Sequence, residues 1–259
     1  GENVNTTENR PALHTALRGA GPAQAQHYAK DMLAKMQKAC ADLDGRFKHI
    51  IHVGIGGSDL GARAVCEALP HRKNAPKLHF LSSIDGAAVD MIMQECDPAQ
   101  SLVLITSKTF TTQETMLNAR TLKEWAGAQR VRDQFWAITA NETEARNFGL
   151  LPENIFALQE WIGGRFSLWS AAGLVIALSA GFDAFERLLQ GAADADVHFR
   201  QAPPAKNIPV LMALLGVWNR NFLGCHAQAV LPYAVKLQHL IPYLQQLEME
   251  SNGKRVDRN

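Results

Sequence analysis

Short apolar runs recur through the first part of the chain, at 49–55, 78–81, 102–106, 135–139 and 155–158. Between them lie stretches with helical spacing, at 59–69, 86–95, 112–126 and 142–147. A strand buried on both faces reads as a continuous apolar run, and helices between such runs provide the crossovers that parallel strands need. The pattern therefore predicts an α/β fold: a parallel, doubly wound sheet with helices on both faces. An amphipathic helix with Met32, Leu33, Met36, Cys40 and Leu43 on one face precedes it. Residues 1–26 read as an extended polar arm.

Beyond residue 166 the chain turns strongly helical, at 169–178, 185–199 and 210–222. The last segment is apolar nearly all round, which predicts burial between other elements. Residues 229–231 read as one more strand. Leu237, Leu240, Leu244 and Leu247 mark a helix face expected to kink near Pro242. The polar end Lys254-Arg255-Val256-Asp257-Arg258-Asn259 adds no closing element, so a second sheet begun at 229–231 would lack its remaining strands and the chain reads as truncated. The expected division is an arm over 1–26, an α/β domain over 27–182, and a helical connection into an incomplete second domain over 183–259.

Composition narrows the function. Hydrophobic content of 47% and charged content of 20% are ordinary for a globular enzyme. Lys+Arg number 26 against 25 Asp+Glu, so no basic footprint points to nucleic acid or to an acidic membrane surface. An anion bound here must be held by local geometry. Cys40, Cys66, Cys96 and Cys225 are widely spaced with no C-x-x-C pair, which argues against a zinc site and a disulfide scaffold and fits a reduced, cytoplasmic setting. The polar start Gly1-Glu2-Asn3-Val4-Asn5 is no signal peptide, and the apolar run at 171–180 is too short to span a bilayer.

Four segments carry candidate chemistry. Val53-Gly54-Ile55-Gly56-Gly57-Ser58-Asp59-Leu60-Gly61 follows a strand. Its glycines let backbone N–H groups approach a ligand, the next helix offers its positive end to an anion, and Ser58 is a candidate N-cap. A dinucleotide fingerprint would need glycine where Asp59 stands, so a nicotinamide cofactor is disfavoured. Taken alone, a tight turn without a ligand fits equally well. Thr106-Ser107-Lys108-Thr109-Phe110-Thr111-Thr112-Gln113-Glu114-Thr115 also follows a strand. Its hydroxyls can donate to phosphate oxygens, Lys108 can add charge, and Thr111 and Glu114 have capping-box spacing that starts a helix near Thr112. No P-loop glycines precede the Lys-Thr pair.

In Trp161-Ile162-Gly163-Gly164-Arg165-Phe166-Ser167, Arg165 can point into a cleft, although a surface ion pair explains it as readily. In the stretch from Gln245 and Gln246 through Glu248, Glu250, Ser251, Asn252 and Gly253, two carboxylates two residues apart on a helix face different sides. Glu248 and Glu250 are then not a pair, and one of them could be a positioned base. The histidines are scattered, with no metal-ligand cluster among them. His14 and Arg18 read as structural.

Together these segments, in this order, resemble the glucose-6-phosphate isomerase family from Asn5-Thr6-Thr7-Glu8-Asn9-Arg10 to the end. The resemblance implies flavodoxin-like sugar-isomerase (SIS) domains in a homodimer, acting on glucose 6-phosphate and fructose 6-phosphate without cofactor or metal. It implies that Ser58, Ser107, Lys108, Thr109 and Thr112 bind the sugar phosphate. Gly57 and Gln246 would line the substrate, Arg165 would sit near the reacting carbons, and Glu250 would move the proton between C1 and C2. The family's ring-opening histidine and lysine would lie beyond this chain, and its N-terminal helical extension would be missing too. The competing expectation is a non-catalytic SIS module that only binds phosphosugars. A secreted signalling role finds no support in the sequence.

Overall fold

The structure is a computed structural model that describes residues 10–253. Its centre is a five-stranded sheet of β1 (His49–Val53), β2 (Lys77–Leu81), β3 (Ser101–Thr106), β4 (Phe135–Thr139) and β5 (Ile155–Ala157). The order is β2-β1-β3-β4-β5 and every pairing is parallel. The expected α/β class and flavodoxin-like order are both present.

Side chains alternate across a strand, so a sheet covered on both sides sorts them into two cores. Ile50, Leu102, Leu104, Trp136, Ile138 and Phe156 join one core. It is covered by α1 (Ala23–Asp42), α2 (Leu60–Ala68) and two helices that come later in the chain, α7 (Leu174–Ala180) and α8 (Phe182–Gln201). Ile51, Val53, Leu81, Val103, Ile105, Phe135, Ala137 and Ile155 join the other. That face is covered by α3 (Gly86–Glu95), α4 (Gln113–Ala126), α5 (Val131–Gln134) and α6 (Glu142–Phe148). Met32, Met36 and Leu43 are buried as expected, and Leu33 and Cys40 pack beside them.

Several expectations are corrected. Within the described part of the N-terminal arm, His14–Arg18 form a 3-10 helix, Ala16 and Leu17 are buried, and α1 starts at Ala23. Apolar side chains too few to show periodicity are enough to seat one turn against α1 and α8. Residues 1–9 and 254–259 lie outside the described residues.

The apolar segment at 210–222 does fold as a helix, α9 (Ile208–Val217), continued by a turn of π-helix over Trp218–Phe222. Asn207 caps it by accepting from the Val210 N–H. It is not buried: Met212 is 65% and Phe222 69% exposed. Apolarity states that a helix needs cover, but the cover must come from other elements, and the described residues provide none. Residues 229–231 form no strand, since a strand needs a ladder partner. Pro242 lies in the first turn of α10 (Leu240–Asn252), where a missing N–H breaks no bond, so it helps start the helix and does not kink it. No described helix is long and apolar enough to cross a membrane.

Candidate active site

Between β1 and β3 the winding reverses: the chain leaves β1 toward β2 on one side and leaves β3 toward β4 on the other. Ligands of open α/β sheets bind in the crevice beyond the carboxyl ends of strands at such a switch point. Val53 pairs with Ile105, so the glycine turn after β1 and the hydroxyl loop after β3 leave the sheet side by side.

The glycine turn is a 3-10 turn over Gly56–Ser58, with Gly56 at φ +55°. Ser58 is therefore not the N-cap. Asp59 holds that position without a capping bond, because its carboxylate accepts from Arg63 Nε at 3.1 Å. A Cβ at Gly57 would stand 2.2 Å from the Gly164 carbonyl carbon and 2.6 Å from the Arg165 nitrogen. Glycine is thus required at 57 by the close approach of the 163–167 loop. Ser167 Oγ fastens that loop by donating to the Gly57 carbonyl at 3.1 Å. Beneath the turn, fully buried His52 has Nε2 2.8 Å from the Ser58 carbonyl oxygen. Burial lowers the His52 pKa and favours the neutral ring, which donates through Nε2 to that carbonyl.

The docked loop aims Arg165. Its Nε donates to Ser251 Oγ at 2.9 Å and its Nη1 lies 3.1 Å from Glu250 Oε1. Gln246 Nε2 donates to Glu250 Oε2 at 3.1 Å. The same Gln246 nitrogen lies 3.3 Å from where a Cβ on Gly56 would be. Tyr243 Oη donates to the Arg165 carbonyl at 3.2 Å, tying α10 to the loop. Glycine turn, guanidinium, amide and carboxylate therefore meet, although 190 residues of chain separate the first from the last. Glu248 accepts instead from Asn252 at 2.7 Å, so the two carboxylates face apart as expected.

The hydroxyl loop is held partly by its own side chains and partly by the end of β4, where Thr139 Oγ1 donates to the Lys108 carbonyl and Asn141 Nδ2 to the Thr109 carbonyl, each at 3.1 Å. Ser107 Oγ, nearly fully buried, accepts from the Phe110 N–H at 3.1 Å and lies 3.2 Å from Thr112 Oγ1. Phe110 takes φ +55°, unusual for a bulky residue and a sign that the loop is over-determined. Helix α4 begins at Gln113 with Thr112 at the cap position, but the capping box does not form. Thr111 Oγ1 instead donates to Thr109 Oγ1 at 2.9 Å. Lys108 Nζ donates to the carbonyls of Glu160 at 2.7 Å and Ile162 at 3.1 Å. Burial first, and Arg10 second, lower its pKa. A polar cavity of about 540 Å³ lies beside it, lined by Arg10, Lys108, Thr109, Thr111, Asn141 and Glu160.

Sequence reasoning missed the supporting residues. His52 was visible only as a polar position inside an apolar run. Ser251 follows Glu250 and Ser167 stands two residues after Arg165, but no spacing reveals a contact across the chain. His14 is more than incidental scaffolding: its Nε2 accepts from the Gly163 N–H at 2.8 Å, next to the Arg165 loop. Arg18, read as structural, pairs with Asp196 through two bonds of 2.7 and 3.0 Å. The expectation about histidines is also corrected: His49 and His79 do come together with Cys96, away from this site. The parallel register that joins them leaves no trace as a sequence spacing.

The fold and site define a class: an open α/β protein of flavodoxin-like order, with a hydroxyl loop suited to an anion and an Arg–Glu pair beside a glycine turn at the switch point. A family model described as phosphoglucose isomerase matches residues 1–259. Glucose-6-phosphate isomerase 1 of Chromohalobacter salexigens is 43% identical over 99% of this chain and 51% of its own length. Glucose-6-phosphate isomerase of Burkholderia cenocepacia is 45% identical over 98% of this chain and 50% of its own. The crystal structure of a glucose-6-phosphate isomerase from Chlamydia trachomatis superimposes with a TM-score of 0.89 at 32% identity, covering 97% of this chain and 51% of that one. The chain belongs to the phosphoglucose isomerase family. It spans about half the length of the curated relatives it matches.

Proposed function

We propose that the polypeptide carrying this chain interconverts glucose 6-phosphate and fructose 6-phosphate, a step of glycolysis and gluconeogenesis, as a cytoplasmic homodimer. The observation that carries the reading is the convergence of Arg165, Gln246 and Glu250 on the Gly56–Ser58 turn, beside the hydroxyl loop. Ser58, Ser107, Thr109 and Thr112 anchor the phosphate with neutral donors and helix-end amides. Lys108 adds positive charge at the rim, and direct contact with the phosphate requires it to leave the Glu160 and Ile162 carbonyls. The anchored phosphate orients the far end of the sugar against Glu250.

In the open-chain aldose, Glu250 takes the proton from C2 and the C1 carbonyl oxygen gains the electron pair, giving a cis-enediolate. The Arg165 guanidinium stabilises that oxygen charge. Glu250 then returns its proton to C1, the C2 carbonyl forms, and the O2 proton passes to O1. Substrate entry replaces one of the contacts that Glu250 makes to Arg165 and Gln246.

The test is a coupled assay of the full-length protein with solvent deuterium. Fructose 6-phosphate formation together with deuterium entry at C2 of glucose 6-phosphate is the expected result. Phosphosugar binding without turnover or exchange would establish the non-catalytic module instead.

A further inference from the structure

At the opposite end of the sheet from the cleft, three ligand-type side chains meet from three elements. His49 opens β1, His79 is the middle residue of β2, and Cys96 follows α3. The register pairs His49 with Lys77 and Ile51 with His79, so the two histidines are diagonal neighbours on the face that α3 covers. His49 Nδ1 and His79 Nε2 are 3.0 Å apart. One ligand atom from each of the three residues lies within 4.8 Å of the others. His79 and Cys96 are buried, while His49 is half-buried and provides a way in.

We propose that His49 Nδ1, His79 Nε2 and Cys96 Sγ form a site for a soft divalent transition metal, Zn²⁺ in the first instance, with water as fourth ligand. Zn–N bonds of about 2.0–2.1 Å and a Zn–S bond of about 2.3 Å place tetrahedral ligand atoms about 3.3–3.6 Å apart. From 3.0 Å the two histidine nitrogens need to open by only a few tenths of an ångström. A second-shell partner stands nearby: the other nitrogen of His79, Nδ1, lies 3.7 Å from Glu95 Oε2, too far for a hydrogen bond but close enough for a small shift of the carboxylate to make one. Binding must displace the Cys96 thiol proton to solvent, because the thiolate is the ligand. The charged and titratable groups facing the site are His49 from β1, Lys77 and His79 from β2, and Glu95 at the end of α3. Lys77 already pairs with Glu95, which keeps that carboxylate in the second shell. A bound metal would staple the start of β1 and the middle of β2 to the end of α3.

The test uses the full-length protein, stripped of metal, in a Cys225→Ser background that removes the exposed thiol. Co²⁺ titration should raise a thiolate-to-cobalt charge-transfer band, and Zn²⁺ should abolish it stoichiometrically and raise Tm. Cys96→Ser should lose the band, and His79→Gln should weaken binding by at least about 10-fold. If the Cys96 variant does not fold, as judged by circular dichroism, His49→Gln at the open corner reads the same site by the same loss of affinity. A titration without the band, a band that survives Cys96→Ser, or an affinity unchanged in the histidine variants would overturn the proposal.

Discussion

The junction after β1 is a glycine turn clamped by distant parts of the chain, whereas the junction after β3 is a hydroxyl loop whose side chains bond to one another while its backbone rests on the neighbouring end of β4. Gly57 has no room for a side chain because the backbone of Gly164 and Arg165 lies against it. Ser167 and His52 grip the same turn through its carbonyls. Its shape therefore depends on parts of the chain over 100 residues away, and those parts carry Arg165 and the end of α10. At the second junction Ser107 pairs with Thr112 and accepts from the Phe110 N–H, while Thr109 accepts from the Thr111 hydroxyl. The difference separates two tasks. Damage at the first junction should fall on turnover, and damage at the second on substrate affinity.

The largest effect is expected at the carboxylate that the first junction positions. Glu250→Gln keeps the side chain's size and can still meet Arg165, but it cannot accept the C2 proton. In the full-length protein kcat should fall by about 10²–10⁴-fold or more, with KM little changed and C2 exchange lost along with product. Arg165→Lys should lower kcat too, because an ammonium cannot replace a planar fork that reaches Glu250 and Ser251 together. Near-normal turnover in Glu250→Gln would remove the base assignment and make Glu248 the next residue to test.

At the second junction, Thr109→Val with Thr112→Val removes two hydroxyls while keeping β-branched shape. Hydrogen bonds to a charged group contribute about 1.5–3 kcal/mol each, so loss of both should weaken binding of glucose 6-phosphate by roughly 10²–10⁴-fold. Calorimetry on the full-length protein would measure it. Unchanged affinity would show that the phosphate binds elsewhere and would end the division of tasks.

Gly57→Ala tests the clamp itself. The added methyl meets backbone, which cannot rotate away, so the 163–167 loop must shift and carry Arg165 with it. A cost of about 1–3 kcal/mol in stability is expected, with a fall in kcat larger than any change in substrate affinity. Chemical denaturation and steady-state kinetics on one preparation would check both. A variant as stable and active as the parent would mean that the close approach at 57 relaxes at no cost.

Legibility in the sequence followed the range of the interactions. Strands β1 to β5 were readable because burial on both faces leaves continuous apolar runs, and their observed ends differ from the expected ones by no more than two residues. Compare α7 and α9, both apolar round their circumference. Val175 and Ile176 of α7 are fully buried, whereas Leu214 and Leu215 of α9 are 58% and 60% exposed. The pattern announces the need for cover equally in both, but cover is supplied by tertiary neighbours that no local pattern encodes. The same limit applies at the site. Arg165 and Glu250 could be named from motifs, but their contact at 3.1 Å, and the steric demand of Gly57 on residues 164 and 165, are properties of the folded chain. Ser58 and Thr111 were expected to cap helices, and both failed because nearer partners, the 3-10 turn and Thr109, took their places.

The smallest effect is expected from pH, again at the first junction alone. His14 accepts from the Gly163 N–H, so its Nε2 must be unprotonated there. Burial first, then the nearby positive charges of Arg18, Arg165, Arg10 and Lys108, lower its pKa from 6.5 to about 4. Between those values the unfolded chain binds a proton that the folded chain refuses, so folding stability rises with pH across this window. Above about pH 6.5 His14 adds no pH dependence, and stability is lost progressively as the pH falls toward 4. Solvent reaches part of the ring, so the loss attributable to His14 should be only about 1 kcal/mol. His14→Gln offers an uncharged carbonyl oxygen to the same N–H. Urea unfolding of the two proteins at pH 7 and again near the lower pKa separates His14 from every other acid-sensitive group, since those are common to both. The parent should lose more stability than the variant, and its kcat should fall earlier on acidification, because Gly163 adjoins the loop that carries Arg165. Substrate affinity at the hydroxyl loop should fall in parallel in the two proteins. If their stabilities track each other throughout, the histidine does not control the clamp, and the first junction owes its shape to Gly57, Ser167 and His52 alone.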